Sequence, residues 1–275
     1  MIAVVLGLGS GVSWGVADFC GGLASRRANP YLTTVLVQGV GVLVLVAAVA
    51  CGHFPTPSPK SIGLAIAAGA LDGLAMLAFY RALSIGAMAV VAPVAASGAA
   101  VPIAVDMVRG HLPTTVVLVG CAIALVGVAV VCFEQGPRTG GILLALTAAL
   151  GFGGFFTLLG PASGAGGEVW AATIARLASL AFVIAIAART PRVTTQWRTR
   201  ALWLIAGAGL LDALAAVLFG GGTQHNLAGT VAVLASLYPV ATIILARVVL
   251  REHWTPRQIV GACVALAGVT LIAAG

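Results

Sequence analysis

Residues 114–133 read TTVVLVGCAIALVGVAVVCF, a run with no charge in it. Such a run matches the roughly 20 apolar residues that a helix needs to cross a bilayer's hydrocarbon core. Its central Ala124-Leu125-Val126-Gly127-Val128 returns, with one residue changed, as Ala265-Leu266-Ala267-Gly268-Val269. Working outward from this pair, apolar stretches occupy 2–23, 32–51, 62–80, 86–108 and 114–133, then 140–159, 168–188, 201–221, 227–250 and 256–274. The second five trail the first by 138 to 141 residues. Trp14-Gly15 corresponds to Phe152-Gly153, Gly22-Leu23-Ala24-Ser25 to Gly160-Pro161-Ala162-Ser163, and Asp72 to Asp212. Two halves with an odd number of crossings must enter the membrane with opposite orientation. The expectation is therefore an all-α integral membrane protein, ten transmembrane helices in two inverted five-helix repeats, residues 1–135 and 136–275, joined near Pro137. Inverted repeats are the architecture of secondary transporters, with the substrate site between the halves near the bilayer midplane.

Composition points to the same class. Of 275 residues 61% are hydrophobic and only 8% charged, and mean hydropathy is +1.13, too little charge to keep a soluble domain of this size dispersed. The segments are too long and too continuously apolar for barrel strands, which alternate over about ten residues. The net charge of +7 is read as topogenic, since loop Lys and Arg fix orientation. A nucleic-acid partner is not expected, because no basic cluster with interleaved aromatics stands on a soluble domain. Cys20, Cys51, Cys121, Cys132 and Cys263 are odd in number and form no CxxC pair, so they read as packing residues, with no disulfide framework or metal site. The first segment lacks a basic leader and contains Asp18, so it reads as a span, not a signal peptide. No cofactor motif, nucleotide-binding P-loop or hydrolase signature appears, and the chain is not expected to be an enzyme.

Turn chemistry separates the spans. Arg26-Arg27-Ala28-Asn29-Pro30, the proline-rich 53–60 stretch, Gly136-Pro137-Arg138 and Thr190-Pro191-Arg192 all break helices. Thr255 can cap the last helix, with Pro256 in its first turn. Pro93, Pro102 and Tyr238-Pro239 interrupt the helical ladder and mark bending points. Gly7-xxx-Gly11-xxx-Gly15 and Gly69-xxx-Gly73 permit close backbone approach within the bundle. The polar run Thr223-Gln224-His225-Asn226 is either a surface loop or a wet gate.

Ionisable residues inside spans carry the functional signal. Insertion scales put an Asp at a helix centre at about +2.5 to +3.5 kcal/mol, which the large apolar residues of a span like 62–80, at about −0.5 kcal/mol each, only just offset. Asp72 and Asp212, at corresponding mid-span positions, are therefore expected to face a central cavity. Two carboxylates in a desolvated chamber suit a proton or cation site. Packing against a neighbouring helix is the structural alternative. Asp18 follows Trp14 by one helical turn, so an acid and an aromatic ring share a face, a pairing that suits an organic cation. Arg176 lies inside its span and corresponds to Gln38 in the first half. It either binds a substrate carboxylate or neutralises one of the aspartates. Tyr238 is a further candidate lining residue. Glu252, beside Arg251, reads as a solvated ion pair or a helix-start residue.

The segment from Thr223-Gln224-His225-Asn226 to Gly268, with Ser236-Leu237-Tyr238-Pro239, Arg251-Glu252-His253-Trp254-Thr255-Pro256 and the Gly261 to Gly268 helix, resembles the second repeat of EamA-type transporters of the drug/metabolite transporter superfamily. The first half is similar more weakly, through Pro93 and Pro102, with Gly110-His111 where the acidic motif would stand. The resemblance implies ten helices, two inverted repeats and movement of small polar metabolites.

The expected function is secondary active transport, in the exporting direction, of a small polar or cationic metabolite or drug. Alternating access and coupling to protons complete the expectation, in a multi-pass protein of a cell membrane such as a bacterial inner membrane, in contact with lipid, monomeric or homodimeric. A non-transporting scaffold or regulatory subunit, or a flippase of a lipid-linked intermediate, are the alternatives. Basic residues cluster after odd-numbered spans, which by the positive-inside rule puts both termini outside; the family resemblance implies cytoplasmic termini.

Overall fold

The computed structural model describes residues 2–52, 54–110, 112–132, 141–163, 167–189, 199–223, 234–235, 237–252 and 254–274. Its helices are α1 (Ile2–Arg27), α2 (Pro30–Cys51), α3 (Pro59–Ile85), α4 (Met88–Ala96), α5 (Ala100–Val108), α6 (Thr115–Cys132), α7 (Ile142–Ser163), α8 (Glu168–Ala187), α9 (Thr199–Thr223), α10 (Tyr238–Val249) and α11 (Pro256–Ala274). No strand occurs among the described residues. Counting α4 and α5 as one bent span gives ten. Seven of these are long and apolar enough to cross a membrane, and three shorter apolar helices complete the set. The chain is a multi-pass membrane protein.

Helix starts follow local chemistry. Asn29, Ser58 and Thr255 each precede a proline that occupies the first helical turn, where no backbone donor is required. The Asn29 side chain accepts from the Tyr31 N–H, and Ser58 Oγ accepts from the Ser61 N–H. Thr255 and Gln258 satisfy each other's backbone N–H groups in a reciprocal capping box, as the Thr255-Pro256 pair leads one to expect.

The prolines act differently from expectation. The break in the fourth span falls at the 3-10 turn Ser97–Ala99, between Pro93 and Pro102 and at neither of them. Pro102 cannot donate to the carbonyl four residues back, which belongs to Gly98, and the ladder tightens there. Pro239 interrupts nothing in the described chain, because it lies in the first turn of α10. Of the polar run 223–226, Thr223 ends α9 and the rest lies outside the described residues, as does most of the ninth span before Tyr238. Helices α1 and α3 run past their sequence-read ends, so Arg26 and Arg81 are helical residues.

Elements from the two halves interleave. α6 packs along α11, α3 along α7 and α8, α1 along α9, and α2 against α8 and α9. Small residues set the seams, as is usual in membrane bundles. A Cβ on Gly69 of α3 would strike Ala175 and Ala178 of α8, and one on Gly209 of α9 would strike Val37 and Val40 of α2. Gly127 of α6 seats against Gly261 and Ala265 of α11, while Gly268 of α11 seats against Gly120 and Ala124 of α6. Gly15 of α1 meets Tyr238 and Ala241 of α10; Gly153 of α7 meets Gly98 and Val101. In every case the second contact is the first with its members exchanged and shifted by the repeat offset.

Leu43, Leu143, Trp203 and Val248 project outward, an apolar exterior suited to lipid. The largest buried cluster gathers Phe79, Tyr80, Leu83, Met88, Val91 and Val94 from α3 and α4. Polar groups inside tie helices together: Ser10 Oγ donates to the Ala215 carbonyl at 3.0 Å, and Thr242 Oγ1 to that of Gly15 at 3.0 Å.

Candidate functional site

The three mid-span ionisable residues fold onto one another. α8 delivers Arg176, whose Nη2 lies 2.9 Å from Asp212 Oδ2 on α9 and whose Nη1 lies 3.6 Å from Asp72 Oδ2 on α3. Gln38 of α2 completes the group. Its carbonyl accepts from Arg176 Nη1, and its amide donates to Asp72 Oδ2 at 3.1 Å and to Ser179 Oγ at 2.6 Å. One guanidinium thus spans two carboxylates, an arrangement that suits its planar fork of donors. Buried charges persist in a membrane interior when paired in this way.

The group is not sealed. Side-chain exposure is 8% for Asp72, 14% for Asp212 and 15% for Arg176. A Cβ on Gly41 of α2 would come into ordinary van der Waals contact with Asp212 and Arg176. Asp18 and Trp14, one turn apart on α1, are both half-buried. Trp14 lies beside Asp212, and its ring packs on Phe219 of α9 at 5.7 Å between centroids.

Asp18 stands apart in one respect. It lies within electrostatic reach of Asp212, Tyr80 and Tyr238, yet no basic side chain pairs with it among the described residues. The local count is three carboxylates to one guanidinium. Trp14, Tyr80 and Tyr238 lie near these carboxylates.

Of the seven candidate site residues, Gln38, Asp72, Arg176 and Asp212 touch one another, while Trp14, Asp18 and Tyr238 lie near them. Tyr80 and Ser179 were missed. Each was findable from helix periodicity, since Tyr80 follows Asp72 by two turns on α3 and Ser179 follows Arg176 by one on α8. Glu252 requires a correction. It is 1% exposed and pairs with Arg26 at 2.9 Å, because the α10–α11 link folds inward against α1 and leaves no room for solvent. No group of potential metal ligands occurs among the described residues. A small apolar pocket lined by Ala89, Ile243, Trp254 and Leu266 contains none of the site residues.

The profile of the EamA-like transporter family matches residues 1–133 and 139–274, nearly the whole chain. A protein of Streptantibioticus cattleyicolor described as a probable terminal-alkyne amino-acid exporter is 37% identical over 102 residues. That match takes in 37% of this chain and 34% of the relative, so the matched stretch spans about a third of the relative's length. A solved crystal structure, 17% identical, superposes with a TM-score of 0.63 over 98% of this chain and 96% of its own, and shares the fold.

Proposed function

This chain belongs to the EamA-like transporter family, and we propose that it is a secondary active exporter of a small metabolite bearing a positive charge, working by alternating access across the cell membrane. The observation that carries this reading is the cluster of Asp18, Asp72, Asp212 and Arg176, assembled from both halves in the middle of a lipid-facing bundle. Costly charges kept at membrane depth mark ion and substrate pathways.

Two inverted five-helix repeats, residues 1–135 and 136–275, supply the moving parts. The exchanged contacts of Gly69 with Gly209, of Gly127 with Gly268 and of Gly15 with Gly153 support this. An operation that swaps both partners of a contact is a two-fold rotation, and five crossings per half set its axis in the membrane plane. Gln38 and Arg176 are repeat counterparts that touch each other, which supports an axis running between them.

Within the site, Arg176 holds Asp72 and Asp212, so the first cation binder is Asp18. A substrate ammonium or a proton takes that place in turn, giving exchange without both being bound. Asp72 and Asp212 take part when Arg176 is displaced between them, and Trp14, Tyr80 and Tyr238 flank the bound cation. An amino-acid substrate, as the described relative suggests, would present its ammonium to Asp18.

The test is transport in reconstituted vesicles under an imposed pH gradient, with amines and amino acids first screened by thermal stabilisation, since a ligand of the folded state raises its melting point. Gradient-driven movement of a stabilising amine is expected. If no stabilising compound moves and acid variants merely lose stability, the protein is a scaffold and the reading falls.

A further inference from the structure

A second ion pair joins the halves at the arginine-rich end of the bundle, away from the acids. Arg26, in the last turn of α1, reaches across to Glu252 in the α10–α11 link, Nη2 to Oε1 at 2.9 Å. The same guanidinium donates to the Leu83 carbonyl at 2.9 Å and to the Gly86 carbonyl at 2.7 Å, both at the end of α3. Glu252 is held from its other side as well. The Met88 N–H approaches its Oε1 at 3.4 Å, and Arg247 Nη1 donates to its backbone carbonyl at 2.8 Å. One side chain thereby fastens α1, the α3–α4 corner and the α10–α11 link. Directly beneath lies the buried cluster of Leu23, Leu83 and Met88.

The repeat aligns the α10–α11 link with the α5–α6 link. The offset that aligns Gly120, Ala124 and Gly127 with Gly261, Ala265 and Gly268 puts Glu252 on His111 and Arg251 on Gly110. Backbone geometry agrees with the register, since Arg251 and Gly110 both have positive φ, 50° and 87°. Arg26 falls on Gly164. The turn thus recurs in both halves, while the positions aligned with Arg26 and Glu252 hold Gly164 and His111.

We propose that Arg26 and Glu252 form a latch that fastens the arginine-rich end in one state of the transport cycle and must part for the chamber to open there. The latch tilts the unloaded protein towards the state closed at Arg26. Oε2 of Glu252 has no partner among the described residues, so the charged contact of the latch runs through Oε1. The inference rests on the alternating-access reading above, but its test requires neither substrate nor flux.

Nitroxide labels at Arg27→Cys and Arg257→Cys, both exposed, in a background without native cysteines, report the separation of α1 from α11 by double electron–electron resonance in lipid discs. The parent protein gives one short, narrow distance distribution. Glu252→Gln, equal in size but uncharged, adds a longer population. Arg26→Lys, which keeps the charge but cannot bridge the two carbonyls and Glu252 together, gives the same population in smaller share and serves if Glu252→Gln does not fold. Unchanged distributions in a folded variant overturn the latch. Altered distances with no transport of any amine leave the latch standing and refute the transport reading instead.

Discussion

Gln38 accepts a hydrogen bond from Arg176, the residue 138 positions further along the chain and the one that the repeat offset assigns as its counterpart. Each also engages the aspartate of its own half, Gln38 with Asp72 and Arg176 with Asp212. The two halves thus place different chemistry in the same frame. A neutral amide and a guanidinium occupy corresponding positions, and the guanidinium alone reaches both carboxylates.

Replacing Arg176 by Gln should be strongly destabilising. Removing one partner of a buried ion pair leaves uncompensated charge, at a cost of about 3–5 kcal/mol. Melting in detergent should fall accordingly, and Asp212→Asn in the same chain should recover part of the loss. A double variant no more stable than Arg176→Gln alone would show that the pairing is not what holds these helices.

Asp18→Asn should separate stability from function. No base pairs with Asp18 among the described residues, so its loss strands no partner and relieves repulsion with Asp212. The variant should melt at or above the parent temperature while substrate flux and its dependence on a pH gradient disappear. Retained gradient-driven flux would remove Asp18 from the mechanism.

Glycine substitutions should sort by what their Cβ meets. Gly127→Ala and Gly268→Ala each push a methyl into the backbone of the facing helix, and both should lower the melting temperature, by similar amounts because the two contacts are counterparts. Gly63 has nothing within 4 Å, so Gly63→Ala should stabilise by about 0.5–1 kcal/mol. Unequal losses at Gly127 and Gly268 would argue against the exchanged packing.

Arg251 adopts φ 50°, a left-handed conformation that costs an L-residue roughly 1–2 kcal/mol. Its counterpart in the first half is glycine. Arg251→Gly should therefore stabilise by about 1 kcal/mol, seen as a raised melting point with transport unchanged. A fall would mean that the exposed guanidinium has a role of its own.

The helices were legible because lipid demands long apolar runs. The site was legible for a similar reason. Charge is so costly at membrane depth that Asp18, Asp72, Arg176 and Asp212 declare themselves. Tyr80 and Ser179 did not, since an aromatic or a hydroxyl inside a membrane helix carries little penalty and resembles packing. Glu252 misled because a carboxylate in a link beside an arginine is ordinarily solvated; only tertiary folding shows that its partner is Arg26, from the other half. The break at Ser97–Ala99 could have been placed by asking which carbonyl Pro102 leaves unbonded.

The bridge from Arg176 to Asp72 also bears on how the protein is made. The ribosome delivers α3 to the bilayer well before α8 exists, so Asp72 must wait there without its guanidinium, with the Gln38 amide of α2 as its partner. Arrival of the late helix completes the charge balance of an early one. A chain terminated after α6 would carry that debt unresolved, and quality control would meet an orphan acid in oil.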